Sequence, residues 1–324
     1  MALKADVFIP ASKHALALKT CLDSLKTQSV KDFRVIVVAK KDNEEIRQLI
    51  KKYNLKIDYY IQEGYGLVGA ANTALKKAKT SIFIRIDDDV SVSKNWLKAI
   101  LETFRNESKI AGVTGPTLLS PQGLKSRDSI SYFTSTPKNI IVSRFLGKLY
   151  YGYIMEGKAL AVSRFFKSGA FSIGSNFKKS LLIKPREVEN LEACNFAVKA
   201  KYILKFGGFD RTFERGLGEY HEADLAMKIR SIGKKIIFNP KAYVNHNIEL
   251  DPPMVRTDSY NRIKNFIIFY KRHIGVKSLD YFFRFMSNII FQNAYYIYKF
   301  VKTGKLDLLG SIPGTISGLF YKGK

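Results

Sequence analysis

Over the first 120 residues, short apolar runs alternate with stretches of helical spacing, which predicts a β-α-β-α succession. Asp6 to Pro10, Phe33 to Ala39, Ile57 to Ile61, Ser81 to Ile86 and Ile110 to Thr114 read as strands. The longer of these are apolar almost without interruption, as in strands covered on both faces. Leu16 to Thr27, with Leu18, Leu22 and Leu25 in step, reads as a helix, as do Glu44 to Tyr53, Val68 to Lys79 and Trp96 to Arg105. The expected fold class is α/β, a mostly parallel central sheet flanked by helices, with right-handed crossovers.

From Leu118 to Glu192 the periodicity weakens while Lys, Arg, Tyr, Phe and Ser accumulate. That length exceeds a simple connection, so residues 120–192 are expected to hold short elements that shape an acceptor site. Regular spacing returns with a strand from Ala193 to Val198, a helix around Tyr202 to Phe206 and the turn Gly207 to Asp210. A helix from Glu222 to Ile232 and strands Lys235 to Phe238 and Ala242 to Val244 follow. Residues 1–250 therefore read as one domain and 251–324 as a helical appendage. In its long run Leu279 to Val301, Arg284, Asn288, Gln292, Tyr295 and Lys299 line one narrow polar stripe, and apolar residues fill the other faces. No run reaches about 18 uninterrupted apolar residues, so the helix is expected to lie in a membrane interface rather than span the bilayer. Packing on the sheet domain or on a second copy is the competing expectation.

Charge sharpens this picture. The chain carries 54 Lys plus Arg against 28 Asp plus Glu, a formal net charge of +26. A field of that sign favours anionic partners: phosphorylated substrates, anionic lipid or nucleic acid. The surplus concentrates in Pro121 to Glu187, with 12 basic and 3 acidic residues, and from Asp251 onward, with 12 and 4. Against this background Asp87-Asp88-Asp89, closing the apolar run that ends at Ile86, stands out. Carboxylates at the carboxyl end of a strand lie where open α/β sheets bind ligands. Hard oxygen donors packed so closely suit Mg²⁺ or Mn²⁺ bridging a diphosphate; a polar turn capping a helix at Ser93 is the plainer alternative. Two cysteines, Cys21 and Cys194, exclude a disulfide scaffold and imply a reducing compartment. Cys21, in step with Leu18, Leu22 and Leu25, reads as core. Met1 to Pro10 lacks the layout of a signal peptide, so export is not expected.

A second acidic cluster, Glu219, Glu222 and Asp224, opens the later helix. One cluster to hold metal and diphosphate and another to supply a general base is what transfer from a nucleotide-activated donor requires. In order along the chain, Val7 to Pro10, Val35 to Val38, Gly66 to Asn72, the Asp triplet, Gly207 to Asp210, Glu222 to Leu225 and Tyr243 to His246 resemble the family 2 glycosyltransferases of GT-A fold, over roughly residues 5 to 250.

The resemblance implies roles. Pro10 and Ala11 would meet the nucleotide base, with Asp42 replacing an acidic turn the family places slightly earlier. Asn72 matches a donor-site Asn, although Ala71 stands where the family commonly has Arg. Asp87 would lie toward the ribose, with a share in metal binding possible, Asp88 between, and Asp89 on the metal, with His246 completing its coordination. Glu222 would be the base of an inverting displacement, with Glu219 as runner-up. The implied enzyme is a hexosyltransferase-like glycosyltransferase using Mn²⁺ or Mg²⁺ and a UDP- or GDP-sugar. Its expected acceptor is a lipid-linked or otherwise membrane-held glycan, such as a polyprenyl-phosphate sugar, reached from the cytoplasmic face of an anionic membrane; a homo-oligomer stays open. A nucleotidyltransferase is disfavoured by the absence of a Gly-rich loop with a Lys after the first strand. A nucleic-acid-binding protein is disfavoured because the aromatic residues sit mostly in apolar helical runs.

Overall fold

A computed structural model describes residues 4–11, 15–120, 145–247 and 258–323. The chain runs β1 (Ala5–Ala11), α1 (Ala15–Lys26), β2 (Phe33–Ala39), α2 (Glu44–Lys51), β3 (Ile57–Ile61), α3 (Gly66–Lys77), β4 (Ile82–Ile86), β5 (Val90–Val92), α4 (Trp96–Asn106), β6 (Ile110–Thr114) and β7 (Thr117–Leu119). After residues 121–144, which lie outside the described residues, come short helical turns and β8 (Arg186–Val188), β9 (Asn195–Lys199), α5 (Ala200–Lys205), α6 (His221–Ser231), β10 (Lys235–Phe238) and β11 (Val244–His246). The chain continues in α7 (Ser259–Phe269), α8 (Leu279–Thr303) and α9 (Ser311–Leu319).

The main sheet has eight strands in the order β3-β2-β1-β4-β9-β6-β10-β8. β3, β2, β1 and β4 pair in parallel, as do β6 and β10, while β9 runs antiparallel between β4 and β6. The expected α/β sheet is therefore present, and β9 is the strand that breaks its parallel run. Side-chain alternation divides the core between the faces: Val7, Ile9, Val35 and Ile84 face α1 and α4, while Phe8, Ile36, Phe83 and Phe196 face α3, α5 and α6. Trp96, fully buried, ties α4 to β9 by donating from Nε1 to Asn195 Oδ1 at 2.9 Å.

Three expectations change. The Asp triplet does not cap a helix at Ser93: a strand, β5, follows it, and α4 begins at Trp96. The last strand is shifted to Val244–His246, so His246 is a buried strand residue rather than one that follows a strand. The third correction concerns α8. Its polar stripe faces inward: Asn288, 2 % exposed, donates to the Ser168 carbonyl at 3.1 Å, and Arg284 reaches the Tyr153 carbonyl and Asp280. Leu279, Phe283, Ile290, Ile297 and Val301, spaced by four and seven residues, form the opposite, outward face, with Leu279 75 %, Ile290 64 % and Val301 77 % exposed.

The appendage is built into the protein rather than tethered to it. Ile268 and Phe269 of α7 belong to the same core as α6, and Tyr270 stacks on Phe285 of α8 with centroids 3.7 Å apart. A polar network reinforces the seam: buried Asp224 of α6 lies 2.7 Å from both Lys228 Nζ and His273 Nε2, and Asp210 takes Arg272 at 2.9 Å. Gly314 and Gly318 of α9 lie against α7, where a Cβ at 314 would come within 2.4 Å of the Tyr260 carbonyl oxygen. No described helix is long and apolar enough to cross a membrane.

Candidate active site

A small sheet, β5-β11-β7, completes the end of β4. β11 pairs antiparallel with β5 so that His246 faces Val90, and the Asn247 amide donates to the Asp89 carbonyl at 2.8 Å. This register, not sequence proximity, brings residue 246 to the triplet. His246 Nε2 lies 2.8 Å from Asp89 Oδ2, and ligand atoms of Asp87, Asp89 and His246 fall within 4.8 Å of one another. Two carboxylates and an imidazole are a donor set suited to a divalent cation, and their convergence fits one. The other ring nitrogen, Nδ1, faces the buried Cys194 sulfur at 3.5 Å, leaving Nε2 toward the carboxylates. Asp88, between the two, is buried.

The carboxylates are held from behind by Arg85, a buried guanidinium inside β4. Its Nη2 donates to Asp87 Oδ1 at 2.8 Å, and its Nη1 meets His221 Nε2 at 3.0 Å. His221 opens α6, directly before Glu222. Its Nδ1 lies 2.9 Å from Glu222 Oε2 but also closes on the Gly218 carbonyl, and Glu222 Oε2 has no hydrogen-bond partner. Burial works to raise the Glu222 carboxyl, but His221 and Arg85 outweigh it and hold the group below its usual range. Glu222 is thus a largely buried carboxylate in the first turn of a helix, ionised at neutral pH, with one oxygen unspent on any donor. Glu219 Oε2 is likewise buried without a hydrogen bond.

The loop before α6 is shaped by unusual backbone. Tyr220 adopts φ 74°, a left-handed conformation that costs a bulky residue on the order of 1–3 kcal/mol. It is held there by stacking on Phe269 at 5.2 Å and packing on Phe266 at 6.0 Å, both from α7. Upstream, the Tyr65 amide donates to Glu214 Oε1 at 2.8 Å. A Cβ on Gly66, itself at φ 55°, would meet the Glu214 carbonyl oxygen at 2.8 Å, so only glycine lets α3 approach the loop this closely.

The other expected donor residues occupy varied settings. Pro10 and Ala11 end β1, half-buried, opposite Val38 and Ala39. Asp42 follows β2 on the surface, engaged by Arg47 Nε at 2.6 Å. Asn72 exchanges two hydrogen bonds with the Phe209 backbone, at 2.9 and 2.8 Å, and so fastens α3 to the turn after α5. Cys21 is core as expected: burial, then the charges of Asp88, Asp89 and Asp87, push its thiol up and leave it unreactive.

Arg85, His221 and His273 were not singled out from the sequence. The signal for Arg85 was available: a charge within a run apolar enough to be covered on both faces must be paired. The two histidines gave no such signal, because their partners lie on other elements.

Residues 6–160 match the glycosyl transferase family 2. A teichoic acid poly(glycerol phosphate) polymerase of Staphylococcus epidermidis is 30% identical over 122 residues, covering 36% of this chain and 17% of that protein. This chain thus spans about a sixth of that relative's length. A mannosyltransferase of Pyrobaculum calidifontis, solved with GDP-Man and Mn²⁺, superposes with a TM-score of 0.58 at 14% identity, over 100% of this chain and 89% of that one. Staphylococcus aureus TarS 1–349, solved with UDP-GlcNAc, gives 0.55 at 15% identity, over 98% and 80%. At these identities the solved structures establish a shared fold.

Proposed function

We propose, from the premise that this chain is a family 2 glycosyltransferase of GT-A fold, that it moves a sugar from a nucleoside diphosphate donor to a membrane-held glycan acceptor with inversion. The observation that carries the reading is the link between two acidic clusters, at Asp87–Asp89 and Glu222, through buried Arg85 and His221. Glu222 takes the proton of an acceptor hydroxyl as its oxygen attacks the anomeric carbon. The bond from that carbon to the diphosphate breaks on the opposite face, and no covalent intermediate forms. Glu219, nearby and equally deprived of a hydrogen-bond donor, is the alternative base. Asp87, Asp89 and His246 are the residues to hold Mn²⁺ or Mg²⁺, which when bound neutralises the departing diphosphate. Asp87 also serves the nucleotide side, with Pro10, Ala11 and Asp42 near the base. Asn72 supports the site from beneath.

The outward face of α8 supports the acceptor assignment. Leu279, Phe283, Ile290, Ile297 and Val301 are exposed, as are Ile312 and Ile316 of α9 and Phe320 just after it, and Lys302 and Lys305 lie at and just beyond the end of α8. An apolar strip with adjacent cations suits the interface of an anionic leaflet, taken here as the cytoplasmic one. The relatives carry proposals of their own: GDP- and UDP-linked sugars are the donors to try, and one relative is named for a teichoic acid polymer. A thermal-shift screen of UDP, GDP and their sugars with Mn²⁺ or Mg²⁺ tests the donor reading. Stabilisation that needs both nucleotide and metal is expected; stabilisation by neither would overturn it.

A further inference from the structure

We propose that His221 is a positioning residue for Glu222, and that Arg85 couples this position to Asp87, so that the donor side of the site and the base are set by one buried chain of contacts. The inference rests on the assignment of Glu222 as base. It starts from hydrogen-bond chemistry. A guanidinium has donors only, so Arg85 Nη1 at 3.0 Å forces His221 Nε2 to accept. In a neutral ring the proton then sits on Nδ1, the nitrogen 2.9 Å from Glu222 Oε2 and close to the Gly218 carbonyl. The ring's tautomer, and with it the donor that faces the base, is therefore dictated by a residue of β4 two positions before Asp87. The same guanidinium holds Asp87 Oδ1 at 2.8 Å.

Nothing in this chain is free to wander. Arg85 and His221 are both almost fully buried, and Phe209 packs edge-on to the imidazole at 5.5 Å. Because the Nδ1 proton is shared with the Gly218 carbonyl, His221 steadies the Glu222 carboxylate without capturing it. Oε2 itself makes no hydrogen bond. Lysine could not replace Arg85, since a single ammonium cannot hold two partners in a planar fork.

The two amide analogues of histidine separate the halves of this arrangement. Asn places its NH₂ near the position of Nδ1, and Gln places its amide near Nε2. Wild type and Glu222→Gln are compared first, following nucleoside diphosphate release from UDP- and GDP-sugars: activity in the first and loss in the second establish the base. If Glu222→Gln turns over normally, the base assignment itself fails, a result distinct from failure of the coupling. His221→Asn should then stay within about tenfold of wild type. His221→Gln should lose on the order of a hundredfold in kcat, the cost of a misplaced reacting group. Both should keep the donor KM within about threefold. Arg85→Lys should lower kcat and also raise donor KM, because it releases Asp87 as well; it remains informative if either His221 variant fails to fold. Equal kcat for the Asn and Gln variants, or an Arg85→Lys enzyme with unchanged donor KM, would overturn the coupling.

Discussion

The sheet region and the C-terminal helices differ in what they leave outside. In β1, β2 and β4 apolar residues point into the core, and chemistry collects where the strands end. In α8 the stripe Arg284, Asn288 and Gln292 turns toward the protein, while Leu279, Ile290 and Val301 are turned out. The inward face of α8 also carries Phe285, Ile289 and Tyr296, so polar and apolar residues share it while a second apolar face is left outside. The observed orientation is reinforced because Asn288 donates to the Ser168 carbonyl and Arg284 to the Tyr153 carbonyl. The outward face then has no partner within the described chain. One region closes on itself; the other leaves an apolar face exposed.

The comparison breaks most sharply at the base. Glu222→Gln should cut transfer by roughly 10²–10⁴-fold while leaving binding to anionic vesicles unchanged; parallel loss of both would show that the regions are not separable. The mirror experiment is Phe283→Ser, Ile290→Ser and Ile297→Ser together. Each buried large apolar side chain contributes about 2 kcal/mol, so co-sedimentation with anionic vesicles should fall by at least about a hundredfold. Nucleoside diphosphate release in solution should persist, and undiminished sedimentation would remove α8 from the membrane assignment.

Between these two effects lies the seam. Asp224→Asn removes the buried carboxylate that holds His273, while Lys228 and Arg272 keep Asp210, and should cost on the order of 3 kcal/mol, read as a lowered thermal midpoint. Asp210 gives the smallest signal. Burial would raise its carboxyl, but Thr212, Lys228 and Arg272 prevail and set it at about 2, against an ordinary 3.8. Its stabilisation is therefore full above pH 3.8 and fades as pH falls toward 2. It amounts to on the order of 2 kcal/mol, and Asp210→Asn should flatten that part of the acid-unfolding curve.

Legibility in the sequence follows the same division. The strands β1, β2, β4 and β6 were readable because both-face burial writes a continuous apolar run, and Asp87–Asp89 was readable because it ends one. Glu222 could be placed by motif, but the reason it stays ionised could not, since it depends on how the His221 ring is turned and on Arg85, 137 positions away. His246 was found as a residue and misplaced as geometry: the β5-β11 register that buries it depends on strands of three residues, too short to show a period. For α8 the amphipathic pattern was correct, yet direction is not written in a pattern. It is decided by which carbonyls wait on the other side.

Tyr220 has a consequence for how this protein can be dissected. Its left-handed backbone survives because α7 supplies Phe266 and Phe269 as a bed for its ring, and it stands two residues before Glu222. A shortened chain ending near residue 250 would shed the hydrophobic tail and, in the same cut, remove the support of the backbone that leads into Glu222, the proposed base. Loss of activity in such a fragment would say nothing about membranes. The two ends of the molecule are joined mechanically, so they must be questioned one side chain at a time.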